Sequence, residues 1–334
     1  MAFPNVTDLV ATTIESRSKT ISDNVLNNNA GLAYIKAKGN VKKVTGGTKI
    51  YEEIAYAENT NAGWYSGYDL LPVAAQDVLS AAEFSLKQCA VPVVVSGLEQ
   101  LQNAGTEQMI DLLDSRITVA ESTMANLLSD SFYNDGTGSG SKEIVGLEAM
   151  TPTDASPTNQ RVDTGTYGAI NRATWSFWRP VYLKPGSALT TSTIQTNMNT
   201  VWAYLVRGRE RPDLIIADNV MWALYLGSLQ TLQRFTEPAR ANLGFPSIKF
   251  MDADVVLDGG LYFPSSSYSG ATANTMYFLN TKHVKWRPHA QRDMVPLSPN
   301  KRYATNQDAE VTILAWAGAL TCNANALQGR LETA

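Results

Sequence analysis

The chain has little of what metal binding and nucleophilic catalysis usually require. Of its 334 residues only two are histidine, His283 and His289, and only two are cysteine, Cys89 and Cys322. Neither histidine has a cysteine or a second histidine at metal-ligand spacing, so no zinc site is expected. The cysteines lie far apart in apolar contexts and read as buried thiols, in keeping with synthesis in a reducing cytoplasm. No GxSxG elbow occurs, which removes the commonest hydrolase nucleophile. Gly136 to Lys142 is rich in glycine, but its spacing is not GxxxxGK[ST] and it follows a predicted helix instead of a strand, so it reads as a flexible connector. No segment approaches the roughly 20 consecutive apolar residues of a membrane-spanning helix. The N-terminal Met1-Ala2-Phe3-Pro4-Asn5-Val6-Thr7 has no basic region followed by an apolar one, so no secretory signal is expected.

Strong charge is missing too, although what there is lies unevenly. The net charge of −4 divides into +4 for residues 1–50, −12 for 51–150 and +4 for 151–334. A protein that grips nucleic acid concentrates Lys and Arg on one face, since phosphate neutralisation supplies most of the affinity. Here the central third is acidic, which argues against such a grip.

That central third is the most informative part. Thr48 to Ala57 alternates, with Ile50, Ile54 and Tyr56 on one face and Glu52 among them. Leu79 to Ala90 returns with Phe84 and Leu86 opposite Glu83, Ser85 and Lys87, and runs into Val91, Val93, Val94 and Val95. The pattern predicts a hairpin over 46–95, with strands of roughly a dozen residues reaching about 40 Å. A two-stranded ribbon of that kind is marginal alone. Its tip holds Trp64, Tyr65 and Tyr68 between Gly63 and Gly67, with almost nothing local to cover the rings, which makes them candidate anchors for another subunit. A helix then follows, with Thr106 as N-cap and Asn134-Asp135-Gly136 as its stop. Met109, Leu113, Ile117, Ala120, Met124, Leu127 and Leu128 form one stripe, and Glu107, Asp111, Asp114 and Glu121 gather on another face. At about 1.5 Å per residue the rod spans about 42 Å.

The flanks are plainer. Residues 1–45 are polar, with the Asn27-Asn28-Asn29 run and Lys36, Lys38, Lys42 and Lys43, and read as an arm with one or two short helices. After a Thr, Pro, Asp and Gly rich loop, the second half alternates helix and strand. Ser192 is placed to cap a helix carrying Ile194, Met198, Val201, Trp202 and Leu205. Leu214 to Ala217 reads as a buried strand, and Asp218 as the cap of a helix through Met221, Trp222, Tyr225 and Leu229. Strands are expected near 248–257, 276–279 and 311–320. Asp252, Asp254 and Asp258 sit at even spacing, as a solvated sheet face or a cation site would. Arg207, Arg209 and Arg211 close a helix, where positive charge complements the dipole or meets an acidic neighbour.

Taken in order, these parts resemble the major capsid protein of tailed bacteriophages, the Hong Kong 97 fold. The stretches Trp64-Tyr65-Ser66-Gly67-Tyr68, Asn134 to Gly138, Ile144 to Leu147, Tyr277 to Thr281 and Trp316 to Asn323 are similar to capsid sequences, and the likeness of order covers nearly the whole chain. The resemblance implies an α+β fold: an N-terminal arm (1–45), an extended hairpin loop (46–95), a peripheral domain with a spine helix (96–150) and an α/β axial domain with return strands (151–334). It implies a structural protein and no enzyme, with no cofactor, metal or catalytic residue. Copies would form hexamers and pentamers that close into an icosahedral virion shell around double-stranded DNA, assembled in the bacterial host cytoplasm without a membrane. A portal and optionally a decoration protein are the further partners implied. With the arm beginning near Met1, a separate scaffolding protein is expected. Some relatives cross-link through a hairpin lysine, but from Ala57 to Leu86 there is none, so that chemistry is not expected. An encapsulin-like nanocompartment shell is the rival within the fold, and a cytoplasmic α/β enzyme using the Asp252 to Asp258 row the rival outside it.

Overall fold

The computed structural model describes residues 29–98, 106–157, 159–229, 247–259, 270–297, 302–303 and 309–334. Most of the expected arm, 1–28, therefore lies outside the described residues. Its visible end is helix α1 (Ala30–Ala37), capped by the Asn29 side chain accepting from the Leu32 N–H at 2.9 Å. Ala30 through Ile35 are all buried, so this helix is part of a core.

The body is a six-stranded mixed sheet in the order β6 (Val181–Leu183), β15 (Gly329–Glu332), β10 (Thr275–Leu279), β7 (Leu214–Ala217), β9 (Ala253–Leu257) and β8 (Ser247–Phe250). β15 pairs β6 in parallel, as β7 pairs β9, and the other pairings are antiparallel. β7 and β10 are buried at every position, because both faces of the sheet are covered. Ile215, Ala217, Met276 and Phe278 join helix α3 (Ile194–Leu205), whose Ile194, Met198, Val201, Trp202 and Leu205 are all buried as the period predicts, and helix α4 (Asn219–Ser228). Leu214, Ile216, Tyr277 and Leu279 face the second core, with α1 and the long helix α2 (Thr106–Tyr133). Gly31 is where these elements meet: a Cβ there would lie 2.7 Å from Phe132 and 2.8 Å from Ile216.

α2 has the expected 28 residues, with Thr106 as its first helical residue instead of its cap. Ile117, Ala120, Met124 and Leu128 form the buried stripe. Leu127 is half-exposed, and Glu121, placed by the pattern on the acidic face, is buried. The side chains of Glu107, Met109, Asp111, Leu113 and Asp114 lie outside the described residues. The helix stops as predicted: Gly136 turns the chain at φ +81°. Gly146 then packs on the helix end, its N–H donating to the Asn134 carbonyl at 3.0 Å.

A second sheet is built on β14 (Ala309–Cys322). One edge pairs with β11 (Val284–Pro288), β12 (Val295–Pro296) and β13 (Arg302–Tyr303) in turn, the other with β3 (Lys87–Ser96) over its whole length. Trp286 and Trp316 stack between β11 and β14 with centroids 5.1 Å apart.

β1 (Lys49–Ala55) and β2 (Leu79–Ser85) form the hairpin, from Lys49 opposite Ser85 to Ala55 opposite Leu79. At seven residues per strand the ladder is about 23 Å long, shorter than the pattern predicted. The alternation continues past Ser85, but there the chain changes partner, and Lys87 onward pairs with β14 instead of β1. The expected caps also differ. Thr193, not Ser192, holds the N-cap position of α3, and Asp218, at the N-cap of α4, accepts from the Asn274 N–H at 2.6 Å instead of bonding its own helix.

Candidate assembly surface

The hairpin is fixed to the body through a buried charge. Period-2 alternation turns Ile50, Glu52 and Ile54 inward together, and Glu52 is only 4 % exposed. Its carboxylate accepts from Lys285 Nζ at 2.6 Å, Arg287 Nε at 2.9 Å and Thr321 Oγ1 at 2.9 Å. Lys285 and Thr321 are register partners across β11 and β14, so the second sheet presents a prepared site for the acid. Burial pushes the Glu52 carboxyl up, but the hydrogen bonds from Lys285, Arg287 and Thr321 outweigh it, and the net position is below the usual carboxylate value. In sequence Glu52 is legible only as a charge in phase with Ile50 and Ile54. Phe84 extends the same anchor by meeting Tyr167, in the short ladder of β4 (Thr166–Tyr167) with β5 (Ile170–Asn171), edge-on at 5.4 Å.

Beyond the ladder, side chains hold the two limbs together. Tyr56 donates its N–H to Val78 O at 3.1 Å and its hydroxyl to Asp77 O at 2.8 Å. Thr60 reaches Gln76 at 2.9 Å, and the Asn61 amide bonds the Ala74 carbonyl. The tip then turns through Ser66 to Asp69, where the Ser66 N–H meets the Asp69 carboxylate at 2.8 Å. Trp64 and Tyr68 stand 106 % and 105 % exposed, and Tyr65 is exposed as well. The sequence reading left out their apolar company: Leu70 is 97 % and Val73 92 % exposed, and Leu71 and Leu79 are also out in solvent. The signal was there, because Leu70-Leu71-Pro72-Val73 interrupts an otherwise polar loop. Three aromatic rings alone bring about 450–750 Å² of coverable surface, most of the roughly 800 Å² that one side of a stable interface buries.

The groups of a type able to carry chemistry are engaged otherwise. Asp254 and Asp258, expected as a solvated row or a cation site, are both buried. The Tyr34 hydroxyl donates to Asp254 at 3.0 Å and that of Tyr133 to Asp258, so the two carboxylates tie α1 and α2 to the sheet. Asp252 is exposed and pairs with Arg211 at 2.9 Å. His283 lies 2.8 Å from Asn323 Oδ1 and 3.2 Å from Glu210 Oε2, and the ring of His289 accepts from the Gln291 N–H at 3.2 Å. Cys322 is buried and Cys89 half-buried, and desolvation pushes both thiols up to about 12. The Gly136 to Lys142 segment is a bonded turn rather than an open linker: Asp135 accepts from the Thr137 N–H at 2.9 Å, and Ser139 donates to Glu143 at 2.9 Å. Among the described residues no group of three or more His, Cys, Asp or Glu is placed to hold a metal. None of the described helices is long and apolar enough to cross a membrane.

Arg207 and Arg209 follow α3 instead of closing it. Arg207 and Glu210 exchange backbone hydrogen bonds at 2.9 and 3.0 Å around Gly208, whose φ is +62°. Beside this turn, where the hairpin leaves the body, opens a cavity of about 530 Å³ lined in part by Ile54, Phe177, Tyr204 and Val206.

No protein-family profile matches the sequence, and no curated protein does. Solved structures do match, over most of both chains. The chain is similar to the capsid asymmetric unit of cyanophage A-1(L), with a TM-score of 0.60 at 16 % identity over 88 % of this chain and 90 % of the other. It is similar to the capsid of the native GTA particle, with a TM-score of 0.56 at 13 % identity over 90 % of each chain. The capsid of Myoviridae phage XM1 gives 0.50 at 11 % identity, over 89 % and 91 %. The expected Hong Kong 97-type arrangement is therefore the observed one: this α+β chain has the fold of tailed-phage capsid subunits.

Proposed function

We propose that the chain is a major capsid protein, assembling as hexamers and pentamers into an icosahedral shell around the double-stranded DNA of a tailed bacteriophage. The observation that carries this reading is the hairpin, anchored at Glu52 and bare at its tip. A subunit meant to work alone does not hold a fully exposed tryptophan, two tyrosines and four aliphatic side chains out from its body. In a shell they are covered by the next copy, through Trp64, Tyr65 and Tyr68, and closed symmetry makes many modest contacts cooperative. The division into arm, hairpin loop, peripheral and axial domains follows the same reading. So do a separate scaffolding protein and a portal as partners, synthesis in the host cytoplasm, residence in the virion and the absence of catalysis.

Electron microscopy and sedimentation of the protein expressed with its scaffold test the assembly, with closed shells or capsomers as the expected product. A stable monomer under those conditions counts against it, and shells filled with a protein cargo instead of DNA would make it a nanocompartment. Trp64→Ala tests the tip. The mutant is expected to keep its circular dichroism spectrum and to lose shell yield, since truncating a buried interface aromatic commonly costs about 2 kcal/mol or more. Stable shells from the mutant would remove the tip from the working contacts.

A further inference from the structure

The hairpin has an unusual charge. From residue 50 to residue 86 the sequence has six carboxylates and no lysine or arginine. Glu52 is consumed inside the subunit and Glu83 pairs with Lys49, which leaves Glu53, Glu58, Asp69 and Asp77 exposed. A hairpin that is both apolar and acidic fits a surface that is apolar and basic.

The subunit presents such a surface at the turn after α3. Arg207 and Arg209 are exposed and make no ion pair with a described residue. The nearby acid, Glu210, is already engaged by Lys282, Asn280 and His283. Both ends of the turn are fixed, since Arg161 donates to the Tyr204 carbonyl at 2.6 Å and the Arg207 and Glu210 backbones close on each other. The arginines are thus held out from a rigid base, beside half-exposed Tyr204 and Val206 and the cavity of about 530 Å³. That volume is within the roughly 300–1,000 Å³ of sites that take ring-sized groups. A second apolar groove, between β3 and α2, is a poorer match. It has Arg116, but that guanidinium bonds the Val94 carbonyl, and the groove runs along the part of the chain whose net charge is −12.

We propose that the hairpin tip of one copy seats on the Arg207–Arg209 turn and the adjoining cavity of the next copy. This rests on the capsid reading and names its receiving surface. The contact joins two different patches, tip to root, and a head-to-tail contact of that kind closes into rings when its rotation allows.

The test is a charge exchange in the full chain, expressed with its scaffold and read by sedimentation and electron microscopy. R207E/R209E is expected to remain folded by circular dichroism and to lose its shells at low salt. Adding E58K/D77K to the same chain restores the complementarity with both signs reversed and is expected to recover the shells. The milder R207Q/R209Q serves if the charge reversal unfolds the subunit, and should assemble weakly with less dependence on salt than the wild type. Normal shells from R207E/R209E overturn the proposal. If Trp64→Ala still fails to assemble, the capsid reading survives that result. A wild-type chain that forms no shell at all would fail the capsid reading itself.

Discussion

Replacing Glu52 by glutamine keeps the shape of the side chain and removes its charge. Lys285 and Arg287 then face a neutral amide from inside the junction between hairpin and second sheet. Breaking a fully buried ion pair from one side costs about 3–5 kcal/mol. Here the two cations keep 17 % and 18 % of their side-chain exposure, so water takes up part of the uncompensated charge. The expected loss is about 2–3 kcal/mol. With a urea dependence of about 3 kcal/mol per molar, the unfolding midpoint of unassembled subunits falls by somewhat under 1 M. Tryptophan fluorescence is a suitable probe, because Trp286 lies between Lys285 and Arg287 in β11 and stacks on Trp316. The pH dependence gives a second check. The folded carboxyl of Glu52 titrates below its usual value, so its stabilisation is complete above about pH 4.5 and is lost as pH falls through the folded value. The gap between wild type and Glu52→Gln should therefore close on acidification. A gap that persists unchanged in acid, or a mutant within about 0.5 kcal/mol of the wild type at neutral pH, would refute the charge argument. The triple variant Glu52→Leu, Lys285→Met, Arg287→Met should regain most of the stability, since apolar groups of similar volume often replace a buried ion cluster without loss.

Gly146→Ala should cost about 3 kcal/mol by overpacking, because its Cβ would lie 2.4–2.6 Å from the carbonyl oxygens of Phe132, Ser131 and Asn134; a thermal melt within a degree of the wild type would contradict the close approach. With both thiols pushed up to about 12, a thiol reagent at pH 8 should label neither Cys89 nor Cys322 in the native protein and both after denaturation. Rapid native labelling would show a thiolate forming at one of them despite its desolvation, against this reading. Mature particles should give a single denatured band near 36 kDa, given the lysine-free span from Ala57 to Leu86, and a ladder of covalent multimers would refute that expectation.

What the sequence made legible depended on how local the cause was. β7 could be read as a buried strand and β10 as a strand because a continuous apolar run is decided within the run itself. The five-residue stripe of α3 and the stop of α2 at Gly136 are equally local. The exposure of the tip rings was legible for the opposite reason, since nothing beside them in sequence could cover them, and no described residue does. The misread features are those whose partners are far away. Asp254 and Asp258 look like a wet row until Tyr34 and Tyr133 arrive from 220 and 125 residues off. The hairpin looks too long because alternation continues through Lys87 to Ser96, and only β14, more than two hundred residues later, claims that strand from it.

Glu52 joins both lessons. Its phase with Ile50 and Ile54 was visible, but its burial depends on Lys285, Arg287 and Thr321 lining up across β11 and β14. An uncharged residue at position 52 would hold the hairpin by apolar contact alone, which is non-directional and leaves a slip of two residues, with the same face still inward, less strongly opposed. The hydrogen-bonded carboxylate fixes one register, because a slip of two residues would carry it away from Lys285, Arg287 and Thr321 and bring Ile50 or Ile54 against two cations. The direction in which the tip leaves the body is thereby set before any neighbour is met. For a contact that must form identically at every copy of a closed shell, a preset direction reduces the ordering cost of each addition.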